Sequence, residues 1–324
     1  MTVQEVQRQK SNVALLSVVS NTVLVTGKIA IGLAINSVSV ISEAIHSGID
    51  LLAAVIAFFA VKISGIPADE GHPFGHGKAE NLSGAIEALL IFAAAGWIIY
   101  ESILKLIHPV EMSGTGLGVV IMLISAGMNW IVSHMLFKVG KKTESIALEA
   151  DAWHLRTDVW TSVGVMAALA LVWAGEYFLP AINLHWLDPV AAMMVAAMIL
   201  KAAYDLTRKS VRDLLDAGLV PTEEDQLRNL IASHDQQIRG FHNLRTRKSG
   251  GKRFIEFHIL VHPSMSVNRS HKLTDELTFK IRQIMPDSLV TIHVEPCKNK
   301  CYPKCKAGCL VDYHKQGRLI PGHD

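Results

Sequence analysis

His46 and Asp50 sit four residues apart in "ISEAIHSGIDLLAAVIAFFA" (41–60), a stretch apolar enough for a bilayer. On a helix that spacing puts both side chains on one face. A titratable group in hydrocarbon costs about several kcal/mol, so each needs a partner. The stretch "DAWHLRTDVWTSVGV" repeats the pattern with His154 and Asp158. Two such helices packed face to face present two imidazoles and two carboxylates, a complete tetrahedral set for a divalent ion such as Zn²⁺. Two carboxylates also cancel the charge of a dication while the imidazoles stay neutral. A single pair could just as well hydrogen-bond a neighbouring helix, but two matching pairs favour a shared site.

Two other stretches carry metal-ligating residue types. "ADEGHPFGH" offers Asp69, His72 and His76, with Pro73 and Gly75 shaping the turn. Three N/O donors in so short a loop suit a site with one open position. "CKNKCYPKCKAGC" spaces Cys297, Cys301, Cys305 and Cys309 four apart. Four thiolates can complete a tetrahedral zinc site in a reducing compartment. The spacing is not the usual CxxC knuckle, and Pro303 and Gly308 argue against one continuous helix, so metal binding or delivery and an inessential reactive tail both stay open.

The elements that must position these groups follow from hydropathy. The chain has 324 residues, 50% hydrophobic and 19% charged, which suggests a membrane domain joined to a soluble one. The net charge of +2 is too small to imply a nucleic-acid partner. No cleavable signal peptide is visible at the N-terminus. Six segments are long and apolar enough to span: about 13–35, 39–62, 82–104, 115–138, 150–174 and 184–206. No Lys or Arg occurs in 29–61, 106–137 or 157–200, whereas the opposite loops carry Arg8, Lys10, Lys62, Lys78, Lys138, Lys141, Lys142, Arg208, Lys209 and Arg212. The positive-inside rule therefore predicts cytoplasmic N- and C-termini in an integral membrane protein of the inner or plasma membrane.

After Tyr204 charge becomes dense. The tail reads as helix (222–234), strand (237–248), strand (252–262), helix (267–284) and strand (288–295), with "SGG" at 249–251 as a turn signal. The order α-β-β-α-β implies a small two-layer α+β domain. The expected organisation is a six-helix transmembrane domain over 1–208, a cytoplasmic α+β domain over 209–296, and a Cys-rich tail over 297–324. Lys28, Glu43, Glu87, Asn129 and Arg156 read as polar groups that snorkel or satisfy interhelical partners.

The paired HxxxD helices, the six spans, the cytoplasmic termini and the loop "PADEGHPFGHGKAENL" together resemble the cation diffusion facilitator family of divalent-metal/proton antiporters, over roughly residues 10–297. The resemblance implies zinc-type transport by a homodimer, with a metallochaperone-like soluble domain at the dimer contact. It maps Asp69, His72 and His76 onto a loop metal site. It also maps His242, His258, His271, His293 and Glu295 onto metal-binding positions of the soluble domain. His293 and Glu295 are two apart on a predicted strand and share a face. The family often has Asp where this chain has Glu295, which puts a binuclear bridge in doubt. His at the position of His46 resembles the zinc-preferring members. Lys78 and Asp216 match positions that could pair between the two domains.

The expected mechanism is alternating access around His46, Asp50, His154 and Asp158, with protons and metal competing for the same side chains. The chain is not expected to be an enzyme. The cargo is expected to be Zn²⁺, with Cd²⁺, Co²⁺, Fe²⁺ and Mn²⁺ as alternatives. ATP drive is disfavoured, because no GxxxxGK[ST] loop occurs and "GGKRF" lacks the required residues. A membrane di-metal oxygenase would need more histidine boxes than "HPFGH" supplies, and a metal sensor would not explain ligands at bilayer depth.

Overall fold

The computed structural model describes residues 3–34, 38–107, 116–178, 186–297 and 308–311. The chain divides into two compact units after Leu214. The first holds six long helices: α1 (Val3–Ala34), α2 (Val38–Ser64), α3 (Lys78–Ile107), α4 (Gly116–Thr143), α5 (Ile146–Phe178) and α6 (Leu187–Leu214). At 27 to 33 residues each, they reach about 40–50 Å, more than the hydrocarbon core requires. Among the described residues, four of them carry windows long and apolar enough to cross a membrane.

The helices exceed the apolar spans because hydropathy records depth in lipid, not where the backbone ladder stops. Polar residues Gln4 to Lys10 continue α1, and Lys138 to Thr143 continue α4. The outer surface is apolar, with Val19, Val23, Leu89, Ile124, Ile131 and Met198 exposed. The interior is built from small residues: Ala53, Ala54, Ala57, Ala88, Ala95, Ala147, Ala150, Ala196 and Ala203 are all fully buried. Without a hydrophobic drive between helices in lipid, close backbone approach supplies the packing. Gly84 shows how close: a Cβ there would meet Ile146 Cγ2 at 2.6 Å and Ser210 Oγ at 2.8 Å.

One carboxylate ties the bundle together at the end where α3 begins. Glu80, 1% exposed, accepts from Lys10 Nζ at 3.0 Å, from Ser64 Oγ at 2.6 Å, and from the Ser145 hydroxyl. It thereby joins α1, α2, α3 and the turn before α5. Beside it Asn81 Nδ2 donates to Asp213 Oδ2 at 3.3 Å, and Lys78 Nζ to the Leu214 carbonyl at 3.1 Å, fixing α3 to α6.

The second unit runs α7 (Pro221–His234), β1 (Gly240–Ser249), β2 (Lys252–Val261), α8 (Val267–Ile284) and β3 (Ser288–Pro296), the element order read from the sequence. The sheet order is β1-β2-β3, with β1/β2 antiparallel and β2/β3 parallel. The parallel pair needs a crossover, and α8 is that crossover. Gly250 takes φ +57° in the tight turn between β1 and β2. Ser266 caps α8 by accepting from Arg269 N. Leu273, Leu277 and Ile281 of α8, with Leu227 and Ile231 of α7, pack on Ile255, Phe257 and Ile259 of β2. Alternation then sends Glu256 and His258 to the uncovered face.

A short piece of the tail completes this core. Phe241 N donates to the Gly308 carbonyl at 3.0 Å and Leu310 N to the Arg239 carbonyl at 2.9 Å, and Leu310 is 1% exposed. Only glycine fits at 308, where a Cβ would fall 1.7 Å from the Phe241 carbonyl oxygen. Asp216 pairs within this unit with Arg247 at 3.1 Å.

Candidate metal-transfer site in the helix bundle

Asp50 of α2 and His154 and Asp158 of α5 come together in the bundle, with one donor atom from each lying within 4.8 Å of the others. His154 Nε2 lies 3.0 Å from Asp50 Oδ1, and the two residues are 6% and 5% exposed. Asp158 is half-buried and accepts from Asn129 Nδ2 of α4 at 3.5 Å. His154 and Asp158 share a stripe because they are one turn apart on α5. Asp50 meets them because alanines at 53, 54 and 57 let α2 approach closely. The side chain of His46 lies outside the described residues, so three members of the expected four-ligand set are described.

The chemistry of this set is specific. Two carboxylates and an imidazole supply borderline and hard donors for a dication. Burial makes the arrangement costly without a counter-charge. His154 Nδ1 is also buried without a hydrogen-bond partner.

Two further donor groups have three members each. In the loop after α2, the Asp69 carboxylate lies 3.5 Å from His72 Nδ1 and 3.3 Å from His76 Nε2. Asp69 Oδ1 also accepts from the His72 backbone N–H at 2.6 Å. That bond above all, then the nearby His76 and His72, holds the Asp69 carboxyl below its usual range, despite an opposing burial effect. Gly75 turns the loop with φ +83°, bringing the two imidazoles to 4.3 Å between ring centres.

On the uncovered face of the soluble sheet, His242, His258 and His293 form one row across all three strands. Glu295 Oε1 lies 2.8 Å from His258 Nδ1 and 3.7 Å from His293 Nε2, while Oε2 lies 3.4 Å from His242 Nε2. His242, His258 and Glu295 are the compact trio. A register shift after His242, with Asn243 at φ +51°, ends the regular pairing there. His271, on α8, is 74% exposed, its imidazole 3.6 Å from Asp275.

Several residues escaped notice in the sequence. Glu80 looked like one charge in a polar loop motif, yet it is the buried hub of four elements. Asp151 precedes His154 by three residues, so D-x-x-H-x-x-x-D marks one stripe of α5, longer than the HxxxD pattern alone. Cys297 and Cys309 are both half-buried. Cys301 and Cys305 lie outside the described residues.

Comparison with known proteins agrees with this architecture. Residues 14–215 match the family model described as the cation efflux transmembrane domain, and residues 219–297 match that of the cation efflux protein cytoplasmic domain. The chain is similar to an uncharacterized transporter of Synechocystis, 36% identical over 263 residues, covering 81% of this chain and 83% of the relative. It is also similar to the cation-efflux pump FieF of Shewanella oneidensis, 30% identical over 280 residues, covering 86% of this chain and 92% of that protein. FieF of Citrobacter koseri is 31% identical over 290 residues, covering 90% and 94% of the two chains. The chain belongs to the cation diffusion facilitator family of cation efflux transporters: it is an integral membrane transporter of divalent metal ions and not an enzyme.

Proposed function

We propose that the protein exports Zn²⁺ from the cytoplasm in exchange for protons, by alternating access around His46, Asp50, His154 and Asp158. The convergence of Asp50, His154 and Asp158 at 4.8 Å or less, inside a helix bundle, carries this reading. A dication entering the set meets the two negative charges that neutralise it, while two protons taken by the same residues would serve instead. Each loaded form can move through a low-dielectric bundle, and the empty dianion cannot. Imidazole favours zinc over the harder, oxygen-preferring manganese. Cytoplasmic termini follow from the distribution of Lys and Arg. The soluble domain serves as the dimer contact, and the sheet trio with His293 and His271 binds regulatory or structural metal, as does the loop trio Asp69, His72 and His76.

The decisive experiment uses full-length protein in proteoliposomes, with zinc added outside and an imposed proton gradient as the only energy source. Zinc uptake should follow the gradient and cease when an ionophore collapses it. Uptake that ignores the gradient removes the exchange mechanism.

A further inference from the structure

Beside the three-donor cluster lie two carboxylates to which the exchange cycle assigns no task. Glu87 of α3 and Asp151 of α5 are both fully buried. Glu87 Oε1 accepts from Ser83 Oγ at 3.2 Å, but Oε2 has no partner, and neither oxygen of Asp151 has one at hydrogen-bonding geometry. The two carboxylates face each other electrostatically, Glu87 also facing His154, and Asp151 facing both His154 and Asp50. They therefore lie within electrostatic reach of the Asp50–His154 pair. Asp151 lies three residues before His154, about 4.5 Å nearer the end of the bundle where α3 and α5 begin.

α1 adds a polar group beside Asp151 and further buried polar atoms on the same helix face. The Ser17 hydroxyl lies against Asp151. Ser17 Oγ, Ser20 Oγ and Asn21 Nδ2 are all buried without partners. Residues 17, 20 and 21 occupy one face of α1. Buried polar atoms in a membrane bundle are satisfied by water or by an ion, because such groups are otherwise paired. Two neighbouring buried carboxylates must be neutralised, by protons or by a cation.

We propose that Glu87 and Asp151 form a second intramembrane position for the divalent cation. The ion is held there with part of its water before His154 and Asp50 take it. The inference rests on the transport reading above. The donor chemistry supports it: carboxylates, hydroxyls and water make an all-oxygen set, which suits a hydrated cation, whereas dehydration falls to the imidazole site. Passage between two sites of two carboxylates each keeps the moving ion charge-compensated throughout.

An all-oxygen staging position differs from the imidazole site in accepting Mg²⁺. Initial zinc uptake is measured in proteoliposomes against zinc concentration, with and without millimolar Mg²⁺. Samples are the full-length protein, Glu87→Gln/Asp151→Asn, Glu87→Asp and Asp50→Ala. The double variant should raise KM about tenfold while leaving kcat within about twofold, since its role is capture and not chemistry at the transfer site. Mg²⁺ should raise KM in the unaltered protein and lose that effect in the double variant. Glu87→Asp, which keeps the charge, should retain Mg²⁺ competition and serves as the readout if the double variant does not fold. Unchanged KM and unchanged Mg²⁺ response in the double variant, with flux still lost in Asp50→Ala, overturn this inference alone. Flux that persists in Asp50→Ala overturns the transport reading along with it.

Discussion

The bundle and the soluble sheet each place a histidine nitrogen against a carboxylate oxygen at hydrogen-bond distance. His154 meets Asp50 at 3.0 Å, and His258 meets Glu295 at 2.8 Å. Their surroundings differ: the bundle side chains are 7% and 6% exposed, those of the sheet 23% and 33%. Water can replace a lost partner on the sheet. In the bundle nothing can, so the charge itself becomes the controlled quantity. The same donor chemistry thus sits in a dry bundle in one place and on a solvated sheet in the other.

Substitution should separate the two regions sharply. Asp158→Ala is expected to cut zinc flux in proteoliposomes by more than about a hundredfold, because the remaining donors no longer cancel a dication. The substitution should leave the elution profile of the purified protein unchanged. Glu295→Ala should weaken zinc binding to the soluble sheet by about 10–100-fold, measured by competition with a chromophoric chelator, with flux at saturating zinc largely preserved. Equal flux losses from both would erase the distinction between transfer and resting sites.

Glu80 sharpens the contrast from the structural side. Glu80→Ala leaves Lys10, 6% exposed, as an uncompensated buried cation. The expected cost is about 3–5 kcal/mol, read as a lowered Tm of the solubilised protein. A Lys10→Met/Glu80→Leu pair should recover much of that loss, since it removes both charges and not one. Should the single and double changes cost the same, charge compensation is not what Glu80 provides.

Much of this was legible from residue order, and the exceptions share a cause. Periodicity located the soluble strands and helices closely because each buries one face: Leu273, Leu277 and Ile281 announce α8 by themselves. Hydropathy located the spans but not the helix ends, since Lys10, Glu80 and Ser145 continue the bundle with polar contacts that no apolar window records. The HxxxD spacing singled out Asp50, His154 and Asp158, which the bundle brings together. Glu80 and Asp151 were not legible as buried, because their burial depends on which helices adjoin them. His271 carries no such local signal: it is exposed on α8, and the resemblance alone gives it a metal role.

The smallest effect tests whether burial governs imidazoles in the soluble unit too. His234, at the end of α7, has both ring nitrogens buried without partners. Burial first, then the nearby Lys280, holds its pKa below the ordinary histidine value, against the opposing pull of Asp235 and Glu276. The folded form therefore binds its proton more weakly than the unfolded chain. This contribution to stability is fully present above the unfolded pKa, near 6.5. It declines as pH falls below that value toward the depressed folded pKa. Because the ring is partly exposed, solvent screening keeps the change small, and a Tm shift of about a few degrees at most is expected between pH 7.5 and 5.5. Hydrogen exchange of α7 amides in the full-length protein resolves this from the membrane unit. Protection should fall with acidification, and His234→Phe should flatten that dependence. If the variant keeps the same slope, the proton responsible binds elsewhere, and the neutral imidazole of His234 contributes packing alone.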